Sequence, residues 1–370
     1  MADQPQKSAL RWLAGLAVVT GLSVIGAVTA VLTQQSATEV RFEPKPFFED
    51  LETGINKAER IVYTIGKGLS GESKITLKRK EGEGWVLDQR FDFPAKPELV
   101  RKLIVGLVEL EAFEPRTANP EWHRPLGLTA PEDLGRAVRI EVLDGEGARL
   151  AALLAGEVVE DTQDAQGRGL LYARKDGDDQ AWLARGRLPL LKNVSEWLDL
   201  KVFELPREEV KRTVLWAESE EPVIIARESA EETNFTLSNA PEGRTGRGAA
   251  IVNGSATALV GLVPEDVIPD TNLSFDEGPL AFTETFSGLR LNVRMTGSAD
   301  VLWAKIYAEA DPALVPESGD LDAVRARADA INARTRGWAF RLDQPTAVKL
   351  AQSMQAITRP SDADGLKTGK

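Results

Sequence analysis

The same order of predicted elements occurs twice along the chain, and this restricts the fold to two similar units. The tetrapeptide VGLV stands at residues 105–108 and again at 260–263. A match of four common residues occurs by chance about once in a chain of this length, so the flanking segments decide the matter. Before each VGLV come three segments of alternating or β-branched character that predict antiparallel strands. They are residues 61–65, 74–80 and 85–91 before the first copy, and 213–219, 222–228 and 234–238 before the second.

Matching helices and hairpins extend the similarity. Residues 97–113 begin with Pro97 and repeat leucine at helical spacing, which predicts an amphipathic helix containing the first VGLV. Strand-like segments separated by turn residues follow each VGLV. They are residues 138–156 and 170–185 in the first copy, and 280–297, 301–309 and 337–342 in the second. Residues 321–337 predict a helix inserted into the second copy and closed by Gly337.

Three pairs of positions test this alignment. They are Trp85 with Phe235, Val105 with Val260, and Trp182 with Trp338. The separation between partners is nearly constant, which favours duplication over chance. The sequence therefore predicts a first lobe at residues 61–205 and a second at 206–360. Each is expected to be α+β, with a helix packed against a mainly antiparallel sheet.

An uncharged apolar run of residues begins at Trp12 and ends at Leu32. As a helix it is long enough to span the roughly 30 Å hydrocarbon layer of a membrane. Lys7 and Arg11 precede the run, so the positive-inside tendency predicts that residues 1–11 lie in the cytoplasm. A cleaved signal peptide is the alternative, although its apolar core is usually only about 7 to 15 residues long. Either interpretation exports the rest of the chain.

The expected fold class is therefore α+β, with an N-terminal transmembrane helix followed by two duplicated, mainly antiparallel sheet-plus-helix lobes. Residues 33–60 are polar, contain two prolines and end in apolar residues at helical spacing, so they predict a stalk and a short helix. Residues 361–370 are expected to form a disordered tail.

Composition excludes several classes of function. The 370 residues carry a formal net charge of −12, which repels nucleic acid in the absence of a local basic stripe. There is no cysteine, so disulfides, thiolate metal sites and cysteine nucleophiles are excluded. His123 is the single histidine, so a metal site built from several histidines is excluded. No partner nucleic acid and no cofactor are expected.

The motifs do not define a catalytic, cofactor-binding or metal site. GRTGRG at residues 243–248 resembles an anion-binding glycine loop but lacks the Lys-Ser/Thr ending of a nucleotide-binding P-loop. A mobile loop is the favoured interpretation, with Arg244 and Arg247 as candidates for binding an acidic partner. His123 lies in a proline-flanked loop and predicts a structural or exposed role.

A resemblance to a known family covers about residues 47–199 well and the second lobe less specifically. It is carried by an aromatic strand at Trp85, Pro94 before the helix, RTANP at 116–120, LGL at 126–128 and WLD at 197–199. These motifs resemble the family named domain of unknown function 4340. His123 departs from the pattern, in which an aromatic residue is expected.

The resemblance implies location and partners rather than a reaction. Members of this family resemble accessory proteins of a bacterial ABC export system related to gliding-motility components, usually with one N-terminal membrane span. The resemblance therefore implies a single-pass protein of the bacterial inner membrane, with its bulk in the periplasm. It implies ABC-transporter membrane subunits or other envelope proteins as partners.

The leading hypothesis is a non-enzymatic accessory subunit that binds a partner or substrate in a cleft between the two lobes. A structural envelope spacer is the first alternative, and it predicts no lined concave pocket. An envelope glycan hydrolase is the second, and it predicts two carboxylates about 5 to 9 Å apart in a cleft.

Overall fold

The protein is built mainly from antiparallel β-sheet. The computed structural model describes residues 43–216, 221–298 and 301–361. The first sheet contains β1 Lys45–Pro46, β2 Ala58–Gly66, β3 Glu72–Lys80, β4 Gly84–Leu87, β5 Phe93–Pro94, β6 Glu111–Thr117, β7 Val138–Asp144, β8 Arg149–Val159, β9 Gly169–Lys175 and β10 Ala181–Gly186. The second contains β11 Val210–Trp216, β12 Val223–Ala226, β13 Thr236–Leu237, β15 Asp266–Pro269, β16 Leu280–Thr285, β17 Leu289–Ser298, β18 Val301–Ala310 and β19 Trp338–Arg341. A small third sheet pairs β14 Arg244–Gly246 with β20 Thr358–Pro360.

Helices contribute less of the described chain. They are α1 Leu51–Gly54, α2 Pro97–Val108, α3 Val194–Trp197, α4 Ala249–Ala256, α5 Leu321–Thr335, α6 Gln344–Leu350 and α7 Met354–Ile357. Only α2 and α5 extend beyond two or three turns. The helix α5 confirms the inserted helix that the sequence predicts, and Gly337 follows its end with a φ of 83°.

The predicted fold class is wrong. The described chain is mainly β, with three antiparallel sheets and few helices, rather than α+β. Strands dominate because most connections between them are turns, single helical turns or irregular loops. Among the described residues, no helix has the length and apolar character needed to cross a membrane. The predicted transmembrane segment at residues 12–32 lies outside the described residues, as do residues 1–11 and 362–370.

The two large sheets share one strand order over eight strands, and the first sheet adds β5 at one edge and β1 at the other. In the first sheet the order is β5-β4-β3-β2-β7-β8-β9-β10-β6-β1, and in the second it is β13-β12-β11-β16-β17-β18-β19-β15. The strand that follows a helix in each repeat, β6 after α2 and β15 after α4, returns to pair with the strand of its sheet that comes last in the chain. We call the first sheet with α2 the first repeat, and the second sheet with α4 the second repeat.

The two VGLV tetrapeptides differ in backbone conformation. The first lies within α2, where Gly106 approaches the neighbouring chain so closely that a Cβ would lie 2.1 Å from the carbonyl oxygen of Arg187. The second follows α4 in a turn, and Gly261 there has a left-handed φ of 67°. The repeats therefore share strand order without sharing the local structure of this motif.

One hydrophobic core runs through both repeats. Alternate strand residues point into it, as the period of two in a strand requires, with Ile61, Tyr63 and Ile65 buried on β2 and Leu291 and Val293 on β17. The buried cluster extends along the chain from Phe47 to Ile357 without a break between the sheets. The repeats therefore pack as one hydrophobic unit.

Candidate functional site

A cleft with walls from both repeats is the candidate site. It has a volume of about 590 Å³, within the range of roughly 300 to 1,000 Å³ typical of ligand pockets. The first repeat contributes residues of β4, β5 and the outer side of α2, and the second contributes the end of α5 and the start of β19. Its apolar lining consists mainly of Trp85, Phe93, Pro94, Pro97, Val100, Ile104, Ala333 and Trp338.

Aromatic rings join the two walls of the cleft. The ring of Phe93 lies 5.0 Å from that of Trp338 and 6.1 Å from that of Phe340, both edge to face. This is a favoured geometry for aromatic pairs. Phe93 is buried, whereas Trp85 and Trp338 are half-buried and line the cavity. Two indole rings, one from each repeat, are therefore accessible to a ligand.

A tight turn positions the first-repeat wall. The sequence predicts a continuous strand over residues 85–91, but β4 ends at Leu87 and a single 3₁₀ turn follows. Phe91 and Asp92 then adopt left-handed φ values of 55° and 64°. This reverses the chain, so that Phe93 pairs with Leu87. Pro97 soon starts α2, and Val100 and Ile104 follow on the side of the helix that faces the cleft.

Two ion pairs hold the second repeat to the rest of the molecule around this cleft. Arg90 binds Asp266 through two nitrogens, at 2.6 and 2.9 Å, and both side chains are largely removed from solvent. Arg334 at the end of α5 donates to Asp199 of the segment between the repeats at 2.7 Å. Bidentate arginine–carboxylate pairs fix relative orientation as well as adding binding energy.

The partner of Asp266 differs from the pattern in the first repeat. There, Arg185 on β10 binds Glu111, its cross-strand neighbour on β6. In the second repeat the corresponding cross-strand pair is Arg341 with Asp266, but Asp266 turns to Arg90. Arg341 instead lies 3.2 Å from Glu265. Asp266, which occupies the position of Glu111 in the second repeat, thus binds the first repeat instead of its own cross-strand neighbour.

Each carboxylate that lines the cleft has a cationic partner. Asp92 lies 3.1 Å from Lys78, and Asp199 binds Arg334. Glu83 lies 3.1 Å from Lys80. Hydrogen bonds from the Lys78 ammonium to Asp88 and Asp92 raise the pKa of that lysine. Among residues 43–216, 221–298 and 301–361, no three potential metal ligands are grouped together.

The arginines predicted from the glycine loop lie away from the cleft. Arg244 belongs to β14, and its guanidinium donates to the side-chain and backbone oxygens of Thr358 at 2.7 and 3.2 Å. Arg247 is exposed, and its backbone N–H donates to the carbonyl of Ile357. The loop predicted to be mobile therefore holds the last described strand, β20. Partner binding by Arg247 stays a prediction.

His123 is buried, with its Nε2 atom 2.9 Å from the carbonyl oxygen of Asp179, so it anchors its loop to the β9–β10 turn. Sequence reasoning did not identify Phe93 and Trp338 as neighbours, because their contact depends on how the repeats pack. The alignment of Trp338 with Trp182 between the two copies was the one sequence feature that singled out Trp338.

A family model described as a domain of unknown function (DUF4340) matches residues 85–274, more than half of the chain. The chain belongs to the DUF4340 family. The matched DUF4340 region begins at Trp85 and includes the first-repeat wall of the cleft together with Asp266. Arg334 and Trp338 of the second wall follow that region. Comparison with curated proteins and with solved structures finds no significant match.

Proposed function

We propose that this DUF4340 protein is a non-enzymatic accessory subunit of the bacterial envelope that binds a partner protein beside an ABC-type export system. The observation that carries the proposal is the cleft, where Trp85 and Trp338 present accessible indole rings from different repeats. Half-buried tryptophans in an apolar recess are the kind of residue that dominates binding energy at protein interfaces.

The lining indicates the chemistry of the partner. Apolar side chains form most of the cleft, and its carboxylates are already paired with cations. An apolar partner segment gains the most here, because it covers aromatic surface and leaves the ion pairs at the wet rim. The proposal includes an extracytoplasmic location at the inner membrane, which rests on the uncharged run of residues 12–32.

Co-purification tests this function. The tagged full chain, extracted from its native cells in mild detergent, should bring down a permease or ATPase subunit. Trp85→Ala should reduce recovery of the partner about tenfold or more, because truncation of a central interface tryptophan typically costs more than 1.4 kcal/mol. Ile104→Gln, which places an amide in the half-buried wall of the cleft, should weaken capture in the same direction.

Trp122→Ala is the matched control, because Trp122 is an exposed tryptophan of the first repeat outside the cleft. It should leave recovery unchanged, and melting temperatures should verify that all variants fold. Recovery of the transporter subunits by the Trp85→Ala chain at the level of the parent chain would contradict the role of the cleft. Absence of any transporter subunit, with folded protein in the extract, would contradict the whole assignment and favour a spacer.

A further inference from the structure

The second sheet has one face turned away from the core, and we call this the outer face. Strand register fixes which side chains share it. Phe282, Asn292 and Tyr307 stand side by side on β16, β17 and β18. In the next row, Trp216 stands beside Leu280 on β16. The aromatic residues are thus spread over several strands of one surface.

These rings reach solvent. Trp216 is 50% exposed and Tyr307 is 40% exposed, while Phe282 is half-buried. The neighbours of Tyr307 in sequence, Ile306 and Ala308, point to the other side and are buried in the core. A soluble β-sheet usually covers such rings or replaces them with polar residues, so an open aromatic face indicates a binding surface.

The first repeat covers the corresponding face. There, the connection between β6 and β7, residues 118–137, lies across the sheet. It forms a small separate core in which Leu128 and Ala130 of the connection bury Leu154 and Ala181 of the sheet. In the second repeat the connection from β15 to β16, residues 270–279, is about half as long. The outer face therefore has less cover than its counterpart, with the shorter connection contacting it at Arg294.

Most charges on the outer face are paired with opposite charges, whereas Arg294 donates to the carbonyl of Phe275. Glu284 is buried between Arg212 and Arg290, at 2.7 Å from each. Lys305 lies 2.6 Å from Asp270. A charged polymer therefore meets little net field on this face, and the net charge of −12 repels a polyanion.

The many ion pairs on the outer face also favour an uncharged sugar chain over a protein as its ligand. A protein surface that covered the face would strip water from these charges, which costs free energy unless every group finds a new partner. A sugar chain can give the charged groups new partners and also cover the aromatic rings. Its hydroxyls bond to charged and amide groups, while its apolar ring faces stack on aromatic side chains. Open β-sheet surfaces bind oligosaccharides in other folds.

We propose that the outer face of the second sheet binds an uncharged glycan strand, with Trp216 and Tyr307 as the stacking residues. This surface is separate from the cleft, and the proposal holds or fails independently of the proposed partner protein.

Calorimetric titration of the full chain tests the proposal with two neutral probes, cellohexaose and the hexamer of N-acetylglucosamine. At least one should bind, and oligogalacturonate, an acidic glycan, should bind about tenfold more weakly or not at all. Trp216→Ala and Tyr307→Ala should each weaken binding of the neutral probe about tenfold, and the double variant should abolish it. Both side chains are substantially exposed, so circular dichroism should show an unchanged fold.

Trp122→Ala is again the control, since it removes an exposed indole from the first repeat, and it should bind the probe as the parent does. Absence of binding of both neutral hexamers at millimolar concentration overturns the proposal. Unchanged affinity in the double variant overturns it as well. If the double variant loses a protein partner and no sugar binds, the face is a protein interface instead. The cleft variant Trp85→Ala should retain sugar binding, which separates this test from that of the proposed function.

Discussion

At the scale of single residues, Tyr63 shows how the core holds a titratable group. It lies on β2 without solvent exposure, its hydroxyl donates to the carbonyl of Pro189 at 3.0 Å, and its ring lies 5.2 Å from that of Trp197. Burial raises the pKa of the Tyr63 phenol well above its ordinary value. Desolvation has this effect because it disfavours the phenolate.

Tyr63 should make the fold sensitive to alkali. Since its folded pKa is raised, its contribution to stability is complete below the unfolded pKa of about 10 and is lost as pH rises through the folded pKa. Tyr63→Phe removes this loss. At neutral pH it should lower the free energy of unfolding by about 1 kcal/mol through the lost hydrogen bond.

Urea unfolding between pH 7 and 11 measures the effect. The deficit of the Tyr63→Phe chain should shrink as pH rises above about 10. Other groups titrate equally in both chains, so the difference isolates Tyr63. A deficit that stays constant across this range would refute the account.

Residue roles of this kind were only partly predictable. For His123 the sequence predicts a structural or exposed role, and its buried contact with Asp179 fits the first of these. It did not show that Arg227 is buried, with all five of its N–H groups donating to backbone carbonyls between Arg207 and Glu232. An arginine with that many carbonyl partners cannot be distinguished in a sequence from one that is exposed.

At the scale of elements, two helical glycines have opposite surroundings. Gly106 in α2 lies against the backbone of Arg187, whereas Gly254 in α4 has only the flexible end of Lys349 nearby, at 3.9 Å from an added Cβ. Alanine favours an unobstructed helix by up to about 1 kcal/mol over glycine. A Cβ forced against a carbonyl oxygen reverses that gain.

Gly106→Ala should therefore lower the free energy of unfolding by about 1 to 3 kcal/mol, in the range of overpacking. Gly254→Ala serves as the matched control and should leave stability unchanged or raise it by up to about 1 kcal/mol. Chemical denaturation of the two variants at pH 7 provides the comparison. Equal effects of the same sign would show that helix propensity, and not the contact with Arg187, governs both positions.

Element boundaries show why the predicted fold class was wrong. Apolar residues continue at helical spacing through Phe113, but α2 ends at Val108 and residues from Glu111 onward form β6. The strand forms because β1 and β10 pair with it from either side. The spacing of apolar residues indicates which positions are buried, but it does not indicate which strands will pair with a segment. Here pairing with β1 and β10 makes residues from Glu111 onward a strand, although their spacing predicts a helix.

At the scale of the whole molecule, ion pairs fix the repeats relative to each other. A double-mutant cycle of Arg90→Ala and Asp266→Ala should give a coupling of about 1 to 2 kcal/mol, as expected for a partly buried bidentate pair. The reference cycle uses Arg325 and Asp322, an exposed pair within α5, which should couple by less than about 0.5 kcal/mol.

Urea denaturation followed by both tryptophan fluorescence and circular dichroism measures the coupling and tests for a single transition. A coupling no larger than that of the reference cycle would show that hydrophobic packing alone orients the repeats. The existence of a cleft between two lobes was predicted from the repeated order of elements. Its lining was not, because the contact between Phe93 and Trp338 depends on how the two repeats pack.

The edge strand β1 determines how the molecule responds to mechanical load. Lys45 and Pro46 pair with β6, and the next residue, Phe47, is buried and donates its N–H to Leu110. A pull applied through the preceding chain therefore acts first on this two-residue ladder. Phe47 follows directly and its ring is buried in the core, so we expect the resistance of the first sheet to such a pull to depend on that ring.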